Sequence, residues 1–345
     1  MPSSKSSSRS HFTLIAALCL LLLSACSKEQ HGPQVSGETM GTSYSMQWHG
    51  QAETLKIKTV RLLAEKRLAE INQLMSTYIP DSQLSLYNAQ DHSGWFAADA
   101  ELISVLDDAY AISQASEGAF DITVGPLVNL WGFGAKLEGF AFPSEAEVRI
   151  ARLTLGWDHI QTRQQPLSIF KPAENVYVDL SAIAKGYAVD QLAQLLDDFN
   201  IENYMVEIGG EIKAKGIAEH GAVWRIGIET PMHEGRSVEA VIGLNNLGVA
   251  TSGDYRNYFE HEGQSYSHTI DPRTGYPVQH NLASVTVLHE STTVADAWAT
   301  ALLVLGPQKA YTYAEENDLA VLLITREDKG YVKTFSSRMR PFILN

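Results

Sequence analysis

Four short segments of the 345-residue chain carry residue types that could do chemistry together. In residues 293–302, Thr-Val-Ala-Asp-Ala-Trp-Ala-Thr-Ala-Leu, Asp296 and Thr300 stand four apart, so on a helix both oxygens face the same way. Carboxylate and hydroxyl oxygens, completed by carbonyls and water, make a site for a hard cation such as Mg²⁺. The alternative is an alanine-rich packing helix whose Asp caps its own first turn. Against that, a helix this apolar should not bury a carboxylate without a partner. Residues 267–277, Ser-His-Thr-Ile-Asp-Pro-Arg-Thr-Gly-Tyr-Pro, read as a strand running into an Asp-Pro-x-Thr-Gly turn. His268, just before the turn, is a candidate proton carrier; a lone histidine at such a place is otherwise structural.

The other two segments could hold a ligand. In residues 179–187, Asp-Leu-Ser-Ala-Ile-Ala-Lys-Gly-Tyr, a carboxylate ends a strand and Lys185 sits near the start of the next helix. Such a junction collects backbone N–H groups and suits phosphate oxygens. The plainer reading is an N-cap by Ser181 with Lys185 in solvent. Residues 118–134 set small residues, Asp121 and a Trp131/Phe133 pair in a stretch poor in charge. That fits either a wall for a flat aromatic ligand or a buried turn packed by aromatics. There is no Gly-x-Gly-x-x-Gly after a strand, no P-loop and no His-Glu-x-x-His.

These segments need a scaffold. Residues 51–75 place Ile57, Val60, Ala64, Leu68, Ile71 and Met75 at helical spacing. Asp99 heads a second helix, with Leu102, Val105, Leu106, Ala109 and Ile112 inward. Strands are expected at 176–180, 204–208, 211–216, 224–229, 237–244, 265–270, 282–288, 320–325 and 331–334, and helices at 183–199, at 293–305 and from Pro307. Helices first and clustered strands later argue for an α+β domain, single and in two lobes, not a doubly wound sheet.

The amino terminus reads as an address. Lys5 and Arg9 precede the apolar run 12–23, which is short of the roughly 20 residues a spanning helix needs and fits a secretory signal. Leu-Ser-Ala-Cys at 23–26 resembles a bacterial lipobox, with Cys26 the lipidated residue; the alternative is a plain signal peptide with an incidental cysteine. Of the two cysteines, Cys19 falls within the removed residues 1–25, so the mature monomer holds no disulfide or catalytic thiol. Residues 26–37 read as lipidated cysteine and tether. Losing the two cations of residues 1–25 takes the formal charge from −14 to −16, which with no basic stripe excludes nucleic acid.

Together and in this order, the four segments resemble the ApbE family, the Mg²⁺-dependent FAD:protein FMN transferases, and residues 38–42, Glu-Thr-Met-Gly-Thr, resemble its opening motif. The resemblance covers residues 38–345. It implies an ApbE-like domain related to the T-fold, with mixed, largely antiparallel strands, flanking helices and two lobes around a flavin cleft. By motif position, Met40, Tyr78, Ala119, Phe120, Asp121, Asp179, Lys185 and Ile270 would contact FAD. Asp296, Thr300 and carbonyls at Ala182 and Ala299 would hold Mg²⁺, with Mn²⁺ as an alternative. His268 would accept or relay the acceptor's proton, with Asp271 orienting it. The implied reaction joins FMN from FAD to a Thr or Ser hydroxyl and releases AMP. The acceptors would be periplasm-facing flavoproteins of NADH:quinone reductase or Rnf-type complexes, met by an enzyme lipid-anchored to the inner membrane or, as Ser27 would favour, the outer. The competing functions are an FAD pyrophosphatase giving FMN and AMP, and a non-enzymatic FAD-binding lipoprotein.

Overall fold

A computed structural model describes residues 32–50, 56–134, 142–232, 237–255, 258–261 and 263–344. The signal segment and Cys26 lie outside the described residues. The described residues open with a hairpin, β1 (Gln34–Thr39) and β2 (Thr42–His49), so residues 34–37 at the end of the expected tether are strand. Met40 and Gly41, both at positive φ (50° and 71°), form its two-residue turn, the condition of a type I′ hairpin. Helix α1 (Ile57–Met75) buries Val60, Ala64, Leu68, Ile71 and Met75, the face the periodicity predicts. It is followed by α2 (Gln83–Ala89), β3 (Gly94–Ala97) and α3 (Ala100–Ala115), the last capped by the Asp99 carboxylate on Glu101 N–H. Next come α4 (Gly125–Leu130), α5 (Glu145–Arg152) with a Ser144/Glu147 capping box, β4 (Gln161–Gln164), β5 (Leu167–Lys171) and α6 (Ala184–Asp198).

The second half is strand-rich, in the order β6 (Asn203–Ile208), β7 (Glu211–Lys215), β8 (Trp224–Glu229), β9 (Val238–Leu244), β10 (Leu247–Gly253), β11 (Tyr258–His261) and β12 (Gln264–Ser267). Then come β13 (Ile270–Asp271), β14 (Tyr276–Pro277), β15 (Leu282–His289), α7 (Thr292–Leu305), α8 (Pro307–Glu316), β16 (Ala320–Glu327), β17 (Gly330–Phe335) and β18 (Ile343–Leu344). An eight-stranded antiparallel sheet, β1-β2-β6-β7-β10-β15-β16-β17, is the spine. A three-stranded sheet, β18-β9-β8, stacks on one face of it, and helices α1, α3, α6 and α7 cover the other.

Alternation along the central strands sorts side chains between two cores. On β16, Val321 and Leu323 turn to the helical side while Ala320, Leu322 and Ile324 meet Ile226, Ile228 and Ile242. Both faces being buried, such strands read as continuous apolar runs. The α+β class with largely antiparallel strands is thus what the chain adopts. Among the described residues, no helix is long and apolar enough to cross a membrane.

Three expectations are corrected. Residues 176–180 are extended but join no sheet: the Asn88 side-chain amide donates to Val178 O and accepts from Val178 N, both at 2.8 Å, in place of a neighbouring strand. The strand expected at 265–270 is broken at His268 and Thr269, between β12 and β13. Finally, β1, β2, β3, β4, β5 and β10 are strands that periodicity did not disclose.

Candidate active site

Where helices α6 and α7 cross, Gly186 is the residue that permits their approach. A Cβ there would lie 2.3 Å from Thr292 O. The closeness lets Asp296 of α7, 3% exposed, accept a hydrogen bond from Gly186 N–H at 3.0 Å through Oδ2, capping the first turn of α6 from another helix. Its Oδ1 is 3.6 Å from the Lys185 ammonium, beyond hydrogen-bond reach, so that oxygen keeps lone pairs for a further partner. Lys185 itself is tied to Glu211 at 2.8 Å. Burial alone would lower the Lys185 pKa, but the Asp296 and Glu211 carboxylates outweigh it and keep the ammonium charged. Glu211, at the start of β7 and 3% exposed, is pushed up to about 7 by burial, against the pull of Lys185.

This explains why the plainer reading of residues 179–187 fails. Ser181 does not cap α6; its N–H and hydroxyl both go to Asp179 Oδ1, at 2.8 and 2.5 Å, and Lys185 is not in open solvent. Asp179 is placed by its own N–H, which donates to Ile122 O at 2.7 Å. That bond ties the 179–187 segment to residues 118–134.

A cleft of about 1010 Å³ gathers these groups. Its walls include Tyr78, Ala119, Phe120, Asp121, Asp179, Ala182, Lys185, His268, Ile270, Asp296 and Thr300, eleven of the residues picked out from the sequence. Asp121 is buried, and its Oδ1 accepts from Thr123 N and Oγ1 at 2.7 and 2.6 Å; burial pushes its carboxyl up to about 6. Phe133 lines the cleft with its ring 6.3 Å from that of His268, edge to face, whereas Trp131 is fully buried and donates to Gly275 O. Both readings of residues 118–134 therefore apply, to different aromatics.

Three candidates stand apart from the cleft lining. Met40 packs partly buried in the β1–β2 turn, and Ala299 is fully buried between Asp296 and Thr300 on α7. Asp271 clamps its own turn, bonding Arg273 Nε and Nη2 at 2.8 Å and Arg273 N–H at 2.9 Å. Sequence reasoning missed Glu211 and Ser252 as cleft components, and Gly209–Gly210, which follow a strand and could mark a close backbone approach, were too weak a signal to place there. Ser252 Oγ is 2.9 Å from Thr300 Oγ1, and Gly209 and Gly210 line the cleft between β6 and β7. The signal available for Glu211 was a charged residue opening a strand straight after two glycines, which only its ion pair explains.

The donors suit a hard cation: a carboxylate oxygen with lone pairs to spare and two hydroxyls from Thr300 and Ser252. Among the described residues no three His, Cys, Asp or Glu side chains converge as a softer or higher-charge metal cage would need. Mg²⁺ is held this way, by one or two protein oxygens, waters and substrate phosphates.

An antiparallel sheet backed by helices, with a cleft combining a flat apolar wall, a cationic side chain and a hard-cation corner, defines a protein that handles a nucleotide-like cofactor. Residues 40–323 match the ApbE family, and the chain belongs to it. It is 43% identical over 330 residues to the FAD:protein FMN transferase of Vibrio cholerae serotype O1, covering 96% of this chain and 98% of that one. It is 45% identical over 333 residues to that of Haemophilus influenzae, covering 95% and 96%. The solved flavin transferase ApbE from Vibrio cholerae superposes with a TM-score of 0.83 at 41% identity, over 90% of this chain and 98% of that one.

Proposed function

We infer that this chain is an FAD:protein FMN transferase: it joins the FMN part of FAD to a Thr or Ser hydroxyl of an acceptor flavoprotein and releases AMP. The observation that carries the reading is the convergence, in one cleft of an ApbE-family chain, of Lys185, Asp296, Thr300 and His268 beside an apolar wall. Phosphoryl transfer asks for positioning and charge neutralisation more than for a strong protein nucleophile.

The residues divide the work. Ala119, Phe120 and Phe133 offer apolar surface to the rings, and Tyr78, 68% exposed, stands at the mouth. Lys185, held charged by two carboxylates, faces the diphosphate. Asp296 and Thr300, with the Ala182 carbonyl, would hold Mg²⁺, which when bound supplies neutralisation of the diphosphate charge. His268 takes the proton of the acceptor hydroxyl as its oxygen bonds to the FMN-side phosphorus. The bond from that phosphorus to the bridging oxygen breaks, and AMP leaves with the bridging oxygen.

The lipobox-like residues 23–26 support a lipid anchor at Cys26 on the periplasmic side, the inner membrane favoured by acceptors of the NADH:quinone reductase or Rnf type. Tethering raises the effective concentration of enzyme and membrane-held acceptor for each other. AMP release followed chromatographically, with and without an acceptor flavoprotein and with EDTA, tests the chemistry. The reading expects AMP only with acceptor and only without EDTA. AMP and free FMN accumulating without acceptor would make the protein a pyrophosphatase, and intact FAD throughout would make it a flavin carrier.

A further inference from the structure

The three-stranded sheet has the order β18-β9-β8, so β8 is an edge. Its inner side pairs with β9, from Trp224↔Leu244 to Glu229↔Val238. On its other side, residues 225–228 make no backbone hydrogen bond to any described residue. The strand is nonetheless firmly seated. Ile226 and Ile228 are buried in the core between the sheets, while Arg225 and Gly227 are exposed. Exposed edges are usually blunted by proline, an inward lysine or a bulge. Residues 225–228 contain no proline and no inward-pointing charge; their one charged side chain, Arg225, is exposed at the start of the stretch, and irregular pairing begins only between Ile228 and Glu229.

What makes this edge different is its place. Ile226, Gly227, Ile228 and Glu229 line the same cleft as His268, Lys185 and Asp296. A strand edge that is unpaired among the described residues therefore forms one lip of the candidate active site. We propose that this edge docks the acceptor: an extended segment of the acceptor protein pairs with residues 225–228 as an added strand and carries its Ser or Thr oxygen into the cleft. The inference rests on the transferase reading and names how the second substrate is held.

The chemistry fits. Main-chain pairing supplies affinity while alternate side chains face opposite ways, so one hydroxyl can enter the cleft and its neighbours point away. Exposed Gly227 leaves the middle of the lip without a side chain.

The test uses the enzyme and a synthetic peptide of about ten residues taken from around the FMN-bearing threonine of an acceptor flavoprotein. Backbone N-methyl groups are placed one at a time along it, and binding is read by anisotropy with valine at the acceptor position. Alternate positions should weaken binding tenfold or more while intervening ones do not, the period of a strand ladder. Hydrogen exchange of the enzyme should show protection gained on peptide binding within residues 225–228. No binding, a non-alternating N-methyl profile, or protection gained at another edge such as β1 or β17 would overturn the proposal. Transfer to the unmodified threonine peptide is scored separately. Alternating binding without transfer would sink the transferase reading and leave the docking strand standing.

Discussion

The Asp296 carboxylate of α7 accepts the Gly186 N–H of α6 at 3.0 Å, so one side chain both caps a helix and lines the cleft. The two jobs separate by mutation. Asp296→Asn keeps an oxygen for the Gly186 N–H but loses the charge. We expect its unfolding free energy to change by less than about 2 kcal/mol while Mg²⁺-dependent transfer falls about a hundredfold or more. Gly186→Ala does the reverse first: the new methyl, 2.3 Å from Thr292 O, must part the helices. Urea unfolding should show a loss of about 1–3 kcal/mol. An alanine variant as stable as the parent would contradict the close crossing.

His268 lines the cleft with the Phe133 ring edge-on to its own. As the proton acceptor in transfer, its replacement by Ala should slow single-turnover FMN transfer by about 10²–10⁴-fold. FAD affinity, read by flavin fluorescence quenching, should move less than about threefold, because the group acts on the acceptor and not on the cofactor's binding. Equal losses in both would reassign His268 to binding.

Asp121 gives a pH signature. Burial raises its carboxyl from 3.8 to about 6, so between those values the folded protein binds more protons than the unfolded chain. Stability therefore falls as pH rises from about 4 to about 6, by about 3 kcal/mol from this group. Asp121→Asn, whose amide oxygen still accepts from Thr123, should lack that decline. Urea midpoints taken across the window check it, and parallel curves for the two proteins would refute it.

Asp190 of α6 secures the other end of the crossing. Its oxygens accept from Thr292 N, Thr293 N, Thr293 Oγ1 and Ser291 Oγ at 2.8–3.0 Å, and Lys213 sits 3.2 Å away. Burial works against the charged form, but Lys213 and the helix N–H groups prevail and lower its pKa. The stability it confers is present above the ordinary aspartate range and lost as pH falls below it. At pH 7, Asp190→Ala should cost about 2–4 kcal/mol. Much of that difference should vanish when both proteins are unfolded in acid.

Helices α1, α3 and α7 were legible because their apolar spacing and the Asp99 cap are local signals. The Asp296/Thr300 pair was legible for the same reason. Strand β10, Leu-Gly-Val-Ala-Thr-Ser-Gly, was not: its small residues give no strand alternation, yet they are what lets α7 lie on the sheet. A Cβ at Gly248 would fall 2.4 Å from Thr292 Oγ1. Residues 176–180 alternate as a strand should, but the partner is the side chain of Asn88, some ninety residues away, which no local pattern announces. Glu211 escaped notice for a similar reason, since its burial makes sense only once α6 brings Lys185 to it. The bonds of Asp271 to Arg273, two residues on, follow from the turn and were not read from the sequence.

The most direct measurement is the intact mass of an acceptor flavoprotein fragment after incubation with the enzyme, FAD and Mg²⁺. Parallel samples contain EDTA, or an acceptor whose threonine is replaced by valine. The account predicts a gain equal to one FMN joined with loss of water, absent in both controls. An unchanged acceptor mass, with the cofactor bound or hydrolysed, would contradict it.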